Sequence, residues 1–210
     1  MWNLAAARRI WSGMDGLRLA MERRAREGGA WALTPDHAGL IERARSEPAA
    51  FGELYRAHYV AIAGYILRRV GDAHLAEDLA AETFLDAWRG MGRYRHGPVP
   101  FRHWLLRIAT NRVNRWARRH GRRREIGLVS ELDAASPPDR PALEDIRAVM
   151  AALSRLSMRH QSVLCLHHVE GLSVEQAALV LGCSPGTVKS RLHRAREAMR
   201  RELDRPEVKP

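Results

Sequence analysis

The hydrophobic positions along this chain recur every three to four residues, the spacing of one face of a helix. Gly, Pro, Ser and Asp interrupt the pattern at intervals, and these residue types begin or end helices. The sequence has no runs of alternating β-branched residues closed by hairpin turns, which would indicate strands. We therefore predict an all-α protein. The predicted helices cover residues 36–46, 48–70, 73–91, 100–120, 142–156, 158–169, 173–181 and 185–203.

The segment 173–203 has the most specific local pattern. Ser173 and Gln176 have the spacing of a capping box, and Gly182 suits the end of the short helix that they begin. Ser184 and Pro185 fit the N-cap and the first position of a second helix. The apolar stripe of that second helix is Val188, Leu192, Ala195, Met199 and Leu203. Two helices, a tight turn and a basic polar face predict a helix-turn-helix.

The second helix of such a motif enters the major groove of DNA, and its exposed polar residues contact base edges and phosphates. The candidates here are Ser184, Gly186, Thr187, Lys189, Ser190, His193 and Arg194. The alternative is an ordinary surface hairpin with a solvated, charged face.

Residues 101–119 combine an apolar face with a second face of arginine and asparagine. Asparagine is a poor helix former, but its amide can pair with base edges, which would explain its presence there. Tyr94 and Phe101 bracket a basic loop, and aromatic rings beside a basic loop can stack on unpaired bases. The alternative for each aromatic residue is a place in the core, which we prefer for Trp104. The candidates for single-stranded DNA are Tyr94, Phe101, Arg107, Asn111, Asn114, Arg115 and Arg118.

The helix 73–91 carries an acidic stripe instead. Asp78, Glu82 and Asp86 recur every four residues, with leucines beside them and Phe84 on the alanine-rich inward face. In a basic protein this stripe predicts a docking face for a basic protein surface. A solvated face is one alternative. A divalent-metal site is another, although three carboxylates along two turns of one helix converge poorly on one ion.

Composition and charge divide the chain into two basic parts around an acidic one. The 210 residues carry a net charge of +11. Segment 51–124 contributes +9 and segment 146–210 contributes +5, while 125–145 is −5 and rich in proline. We predict a module 36–124, an acidic Pro-containing linker 125–141, a second module 142–205 and an N-terminal extension 1–35. Nucleic acid is the favoured polyanionic partner, ahead of an anionic membrane surface.

Other features limit the remaining function classes. The sequence has no apolar run of about 18 residues and no secretory signal pattern, so we expect a cytoplasmic protein without stable membrane insertion. Cys165 and Cys183 are expected to be reduced thiols. Cys165, His167 and His168 form only a weak zinc pattern, and we expect no metal, cofactor or catalytic residues.

These motifs resemble those of the extracytoplasmic-function, or group 4, sigma factors of bacterial RNA polymerase. The residues that resemble region 2 are Ala76-Glu77-Asp78-Leu79, Glu82-Thr83-Phe84, Phe101, Trp104-Leu105, Ile108-Ala109 and Asn111. The residues that resemble region 4 are Gly171-Leu172-Ser173, Ala177, Leu181-Gly182, Gly186-Thr187-Val188-Lys189-Ser190-Arg191-Leu192 and Arg194-Ala195-Arg196. The chain departs from the family pattern at Ala81, at Ser157 and in the looser run Arg159-His160-Gln161.

The resemblance implies a role for each part of the chain. Region 2 would bind the β′ clamp helices of core polymerase and open the minus-10 element, with a flipped base read near Asn111. Region 4 would read the double-stranded minus-35 element and meet the β flap, and the acidic linker would run toward the active-site channel. The residues that would contact polymerase are Asp78, Leu79, Glu82, Phe84 and Asp86. An anti-sigma factor is a further expected partner, and it could hold the protein at the membrane.

Two alternatives belong to other function classes. A helix-turn-helix activator would bind operator DNA without polymerase, but it would leave 51–124 unexplained. A nuclease using Asp78, Glu82 and Asp86 would need accompanying catalytic groups that the sequence does not supply.

Overall fold

The computed structural model describes residues 38–95, 99–120 and 140–205, with the backbone alone at 140–147. The extension 1–35, the predicted linker up to residue 139 and the centre of the loop 95–100 lie outside the described residues. All regular elements in the described ranges are helical, which confirms the all-α prediction. The helices are α1 (Ala38–Arg43), α2 (Pro48–Val70), α3 (Ala73–Gly90), α4 (Phe101–His120), α5 (Arg140–Arg155), α6 (Met158–Leu164), α7 (Val174–Leu181) and α8 (Pro185–Leu203).

Helices α1 to α4 form the N-terminal module, whose helix ends follow from local sequence. Pro48 occupies the first turn of α2, and Gly71 ends that helix at a φ of 74°, a conformation that glycine adopts without strain. Asp72 then caps α3, because its carboxylate accepts a hydrogen bond from the Leu75 N–H at 2.8 Å. A 3₁₀ turn over Met91–Arg93 follows α3 and leads toward α4.

A buried polar network joins α2 to α4 inside this module. The Tyr65 hydroxyl lies 2.7 Å from the Thr110 hydroxyl, and Arg69 donates to the Tyr65 oxygen at 3.1 Å. Arg69 also donates to the amide oxygen of Asn114 at 2.7 Å, and its side chain is almost fully buried. Burying the charge of Arg69 is costly unless its guanidinium group is hydrogen-bonded. Because the partners lie on both α2 and α4, these hydrogen bonds fix how α4 lies on α2.

Helices α5 to α8 form the C-terminal module. Ser157 caps α6, with its hydroxyl accepting from the His160 N–H at 3.3 Å. The buried Gln161 side chain donates to the Leu153 and Leu156 carbonyls at 2.9 and 3.0 Å. Both positions depart from the resemblance pattern, and here they supply the hydrogen bonds at the junction of α5 and α6.

The predicted helix 158–169 changes its geometry after α6. Residues Cys165–Val169 form a π turn, in which the Glu170 N–H donates to the Cys165 carbonyl at 2.9 Å. The single α-helix predicted for this segment therefore requires correction at its C-terminal end. The cause is a shift from four-residue to five-residue hydrogen bonding, which hydrophobic periodicity does not reveal.

The two modules pack directly against each other. Helix α7 lies on α4, and α5 and α6 contact α2. The sequence predicts two modules joined by a linker, and the structure adds a shared interface between them.

Candidate nucleic-acid and protein interfaces

Two residues of the acidic stripe on α3, Glu82 and Asp86, are paired with α4. Arg112 of α4 donates through Nη1 to Glu82 Oε2 and through Nε to Asp86 Oδ2, both at 2.6 Å. The hydrogen bond from Arg112 is the main cause that lowers the pKa of Asp86, and the same bond raises the pKa of Arg112. Asp78 and Glu82 remain exposed, whereas Asp86 is half-buried. The stripe is therefore an accessible acidic surface that is anchored to α4 by one arginine.

Two of the predicted polymerase contacts on α3 are core residues. Leu79 is 5% exposed and Phe84 is 3% exposed. Both side chains point into the bundle and support α3 from within, and their contact with polymerase stays a prediction. The apolar surface beside the acidic stripe comes instead from Tyr55, whose ring packs 4.8 Å from that of Phe84, and from the exposed Leu85.

Helix α4 presents a basic, polar face to solvent. Arg107, Asn111, Arg115 and Arg118 are exposed, as required of side chains that contact nucleic acid. Asn114 is half-buried, and its amide oxygen accepts the hydrogen bond from Arg69. This acceptor holds α2 and α4 together, and the contact of Asn114 with DNA stays a prediction.

The aromatic pair at the start of α4 is buried as well. Tyr94 and Phe101 are each 4% exposed, and their rings pack 5.4 Å apart. The Tyr94 hydroxyl donates to the Val99 carbonyl at 2.9 Å, and its ring lies 4.9 Å from that of Trp104. Both rings therefore pack in the core, and their stacking on bases stays a prediction. Trp104 is half-buried against that core, in agreement with the preferred interpretation.

The helix-turn-helix is formed as its local pattern predicts. Ser173 and Gln176 make both hydrogen bonds of a capping box, at 2.9 and 3.1 Å. Gly182 ends α7 at a φ of 63°, and Ser184 caps α8 by accepting from the Thr187 N–H at 3.2 Å. Val188, Leu192, Ala195 and Met199 are buried, and Leu203 is half-buried.

The opposite face of α8 is open to solvent. Lys189, Ser190, His193 and Arg194 are exposed along two turns, and Ser184 and Gly186 are exposed at the start of the helix. Thr187 is half-buried, with its hydroxyl 2.9 Å from that of Ser184. The N-terminal half of α8 therefore presents cationic and hydroxyl groups to solvent. In a helix-turn-helix, this part of the second helix enters the major groove of DNA.

A buried ion group joins the two modules. Glu170, which follows the π turn, contacts Arg68 of α2 through Oε1 and accepts from Arg102 Nη2 through Oε2 at 2.6 Å. The side chains of Arg68 and Glu170 are each 4% exposed. Nearby, a β-carbon built on Gly182 would lie 3.7 Å from Nη2 of Arg107, so the turn of the helix-turn-helix borders the basic face of α4.

Sequence reasoning missed three charged residues of these interfaces. These residues are Arg112, Arg68 and Glu170. Each pairs with a residue at least 26 positions away in the sequence, and local sequence patterns do not predict such long-range pairs. The buried Arg69 was missed as well, although a signal for it was available on α2. The buried series Ile62, Tyr65 and Ile66 extends at helical spacing toward Arg69, so a buried arginine could be expected at that end of the helix.

Two further features bear on function class. Among the described residues, no group of three or more His, Cys, Asp or Glu side chains is placed to hold a metal ion. Within the same residues, no helix is long and apolar enough to cross a membrane.

Comparisons with known proteins give two matching family models. Sigma-70 region 2 matches residues 54–123, and Sigma-70, region 4 matches residues 146–199. The RNA polymerase sigma-H factor of Pseudomonas aeruginosa is 37% identical over 178 residues, which cover 78% of this chain and 92% of that protein. The ECF RNA polymerase sigma factor SigL of Mycobacterium tuberculosis is 35% identical over 166 residues, which cover 76% of this chain and 92% of that protein.

Two solved structures are similar over most of their length. One is the sigma factor RpoE in complex with the anti-sigma factor NepR from Bartonella quintana, with 28% identity and a TM-score of 0.57 over 74% of this chain and 98% of that chain. The other is CnrH in complex with the cytosolic domain of CnrY. It has 28% identity and a TM-score of 0.60, over 79% of this chain and 95% of that chain.

Proposed function

Because this chain belongs to the extracytoplasmic-function sigma factors of the sigma-70 family, we propose that its two basic faces divide promoter recognition between them. The protein binds core RNA polymerase and directs transcription initiation at promoters. We assign the minus-10 element to α4 and the minus-35 element to α8. The observation that supports this division is the exposure of one basic face in each module.

The polymerase contact is proposed to lie on α3. Asp78 and Glu82 would meet basic residues of the β′ clamp helices, while Tyr55 and Leu85 supply apolar contact beside them. Charge complementarity of this kind selects the partner and orients it. Asp86 is deeper and paired with Arg112, so we assign it to holding the surface in place rather than to the contact itself.

The minus-10 contact is proposed to use Asn111 for a base and Arg107, Arg115 and Arg118 for phosphates. An exposed asparagine amide can both donate to and accept from a base edge. The arginines around it neutralise the strand that carries that base. Tyr94, Phe101 and Asn114 hold the fold of this surface and take no part in the proposed contact.

The minus-35 contact is proposed to use Lys189, Ser190, His193 and Arg194 in the major groove. Ser184, Gly186 and Thr187 lie at the N-terminus of α8, where backbone N–H groups favour a phosphate. We further propose that this module contacts the β flap of polymerase, as the family resemblance implies.

Regulation by an anti-sigma factor is proposed from the similar structures. One of them contains a sigma factor bound to an anti-sigma factor, and the other contains CnrH bound to the cytosolic domain of CnrY. We propose that a comparable partner binds this chain and could hold it at the membrane surface. We also propose that the chain has no catalytic activity of its own, since sigma factors act by binding.

The test is selection of DNA from a random pool with and without core RNA polymerase. We expect enrichment of two elements spaced like minus-35 and minus-10 only with polymerase present, followed by transcription from the selected DNA. An operator-binding activator would enrich one site equally well without polymerase, and that result would contradict the proposed division of roles.

A further inference from the structure

We propose that residues 1–35, which lie outside the described residues, dock as a basic amphipathic segment on an exposed face of helices α2 and α3. The proposed function places core polymerase on the same face, so the segment is an internal competitor of polymerase. This competition rests on the proposed function, whereas the docking can be observed without polymerase.

The covered surface is formed by aromatic residues of α2 and by one side of α3. We call it the α2–α3 face, and its members are Phe51, Tyr55, Tyr59, Glu77, Ala81, Leu85 and Trp88. The Tyr55 ring lies 5.1 Å from that of Tyr59, and the Phe51 ring lies 4.9 Å from that of Trp88. Tyr55 is 37% exposed and Leu85 is 47% exposed. The rings therefore form a continuous apolar surface that is open to solvent.

Acidic side chains border the α2–α3 face. Glu77 lies close enough to Tyr59 to contribute, after burial and Tyr55, to the raised pKa of that phenol. Asp78 and Glu82 follow along α3, and both are exposed. A segment that fits this face therefore needs a stripe of apolar side chains together with positive charge.

The first 35 residues of the chain supply both features. They contain six arginines against three acidic residues, a net charge of +3. Their apolar positions recur at helical spacing over Ala7, Ile10, Met14, Leu17 and Met21. On the other side of that helical pattern fall Arg8, Arg9, Arg23 and Arg26. The segment thus matches the α2–α3 face in both hydrophobicity and charge.

The segment is also connected close to this face. The described chain begins with α1 at Ala38, and α1 packs on α2. From Pro48 at the start of α2 to Tyr59 the helix rises about 16 Å. The 16 residues between Met21 and Ala38 can span about 50 Å, so the apolar stripe reaches the face without strain.

Attachment to the same chain makes a weak contact sufficient. A short flexible connection gives an effective concentration of about 1 mM. Docking with a dissociation constant of about 0.1 mM then keeps about nine molecules in ten covered. Polymerase can still displace the segment, because the cost of displacement is only about tenfold in affinity.

The first experiment uses the full chain with a photoreactive benzoylphenylalanine in place of Tyr55. Irradiation of the free protein should join this position to residues 1–35 of the same chain, as identified by mass spectrometry of the monomer. The matched control carries the same group in place of Val60, which is 51% exposed and about 140° around α2 from Tyr55. This control should give little of that crosslink.

Two results of the crosslinking would overturn the proposal. One is an equal yield of the crosslink to residues 1–35 from the Tyr55 and Val60 positions. The other is a crosslink from the Tyr55 position that joins two chains, which would make a second copy the occupant of the face.

The second experiment removes the segment after the protein has folded. The recognition sequence of a site-specific protease is inserted between Gly28 and Gly29 of the full chain. Affinity for core polymerase is then measured before and after cutting, with circular dichroism as the check on helical content. Cutting should raise the affinity by up to about tenfold, because the competing segment is diluted into solution.

A charge variant of the full chain gives an independent measurement. Arg8→Gln together with Arg9→Gln should lower the crosslink yield at the Tyr55 position and raise core affinity about two- to fivefold. The matched control is Arg201→Gln with Arg205→Gln, which removes the same charge from exposed positions of the other module. It should change neither quantity, and equal effects of the two variants would contradict specific docking.

Asp78→Arg in the cut chain separates this proposal from its premise. If Asp78→Arg lowers core affinity but cutting does not raise it, polymerase uses the α2–α3 face without competition from the segment. That result would reject the proposal and leave the polymerase assignment intact. If neither change alters core affinity while the crosslink forms, the docking stands and the polymerase assignment to α3 is wrong.

Discussion

Asn111 and Asn114 are one helical turn apart on α4, yet their surroundings predict opposite consequences of mutation. We expect Asn111→Ala to impair promoter opening more than polymerase recruitment, because its exposed amide would hold a base that only melting releases. The test compares transcription by N111A from duplex promoter DNA with transcription from a template premelted across the minus-10 element. The defect of N111A should be smaller on the premelted template. An equal defect on a premelted strand that lacks the flipped base would contradict the assigned role.

Asn114→Ala is the matched control for that experiment. It removes the acceptor of a buried arginine, so it should lower the free energy of unfolding by about 1–3 kcal/mol. Urea unfolding monitored by circular dichroism should show this loss for N114A and little change for N111A.

Arg194 is the residue of α8 best placed to distinguish base reading from phosphate contact. If it meets a base edge, Arg194→Ala should weaken minus-35 binding by about 1–3 kcal/mol and relax the preference at one position. Lys189→Ala is the comparison on the preceding turn. Binding titrations against single-base variants of the element measure both. An equal loss on every sequence would assign Arg194 to phosphate instead.

His168 predicts an acid-sensitive contribution to stability in the C-terminal module. Burial, followed by the nearby His167 and Arg196, lowers the pKa of His168 from 6.5 to about 4. Between these values the unfolded chain binds more protons than the folded one, so stability falls as the pH drops from 6.5 to 4. The loss is at most about 3 kcal/mol.

Urea unfolding as a function of pH tests this prediction. His168→Gln should reduce the fall in stability between pH 6.5 and 4, while the exposed His74→Gln keeps the wild-type dependence. Identical pH dependence in H168Q and the wild type would show that another group causes the fall.

At the scale of elements, the acidic face of α3 supports a charge-reversal test. Asp78→Arg together with Glu82→Arg places positive charge where basic polymerase residues would dock, so core affinity should fall by several kcal/mol. Because Glu82 is bonded to Arg112, E82R also adds a like charge beside that arginine. D78R alone is therefore the cleaner variant, with a smaller expected loss and intact α3–α4 packing.

The control for this reversal is Asp204→Arg, an exposed residue that follows α8 in the other module. It makes the same change in net charge as D78R and half that of D78R/E82R, and it should leave core affinity unchanged. Affinity for core polymerase and helical content should be measured on each variant. A folded D78R/E82R protein with wild-type affinity would remove the docking role from this helix.

The sequence predicts helices well here because their ends depend on neighbouring residues. Ser173 with Gln176, Gly182 and Ser184 act within four positions, and each makes the predicted contact. The faces of those helices are harder to predict. The basic loop predicts base contacts for Tyr94 and Phe101, and the family resemblance implies polymerase contacts for Leu79 and Phe84. Aromatic and apolar residues of this kind suit interfaces and cores equally. Only the arrangement of α2, α3 and α4 decides between the two.

At the scale of the whole molecule, the interface between the modules depends on contacts that are remote in sequence. Glu170 meets Arg68 across 102 positions and Arg102 across 68. Periodicity and caps carry no information about such pairs, and the π turn that orients Glu170 also departs from the predicted helix. The sequence therefore predicts two modules and a tether, but not the packed state in which the modules meet.

The tether, the 19 residues between α4 and α5, limits by its length how far apart the two DNA surfaces can act. Deleting about ten of the 19 residues between α4 and α5 leaves a maximum span of about 30 Å. We expect the shortened chain to bind core polymerase but to lose initiation at promoters of normal spacing. Activity should return in part on templates with the two elements one helical turn closer, about 10 base pairs.

Replacing the same ten residues with Gly and Ser is the control, because it keeps the length while removing the sequence. That variant should initiate at the normal spacing, which separates the reach of the tether from its acidic composition. Abortive transcription across templates of graded spacing measures both variants. If the shortened chain and the wild type share one optimal spacing, the tether does not set the distance between the surfaces, and polymerase itself must hold the modules apart.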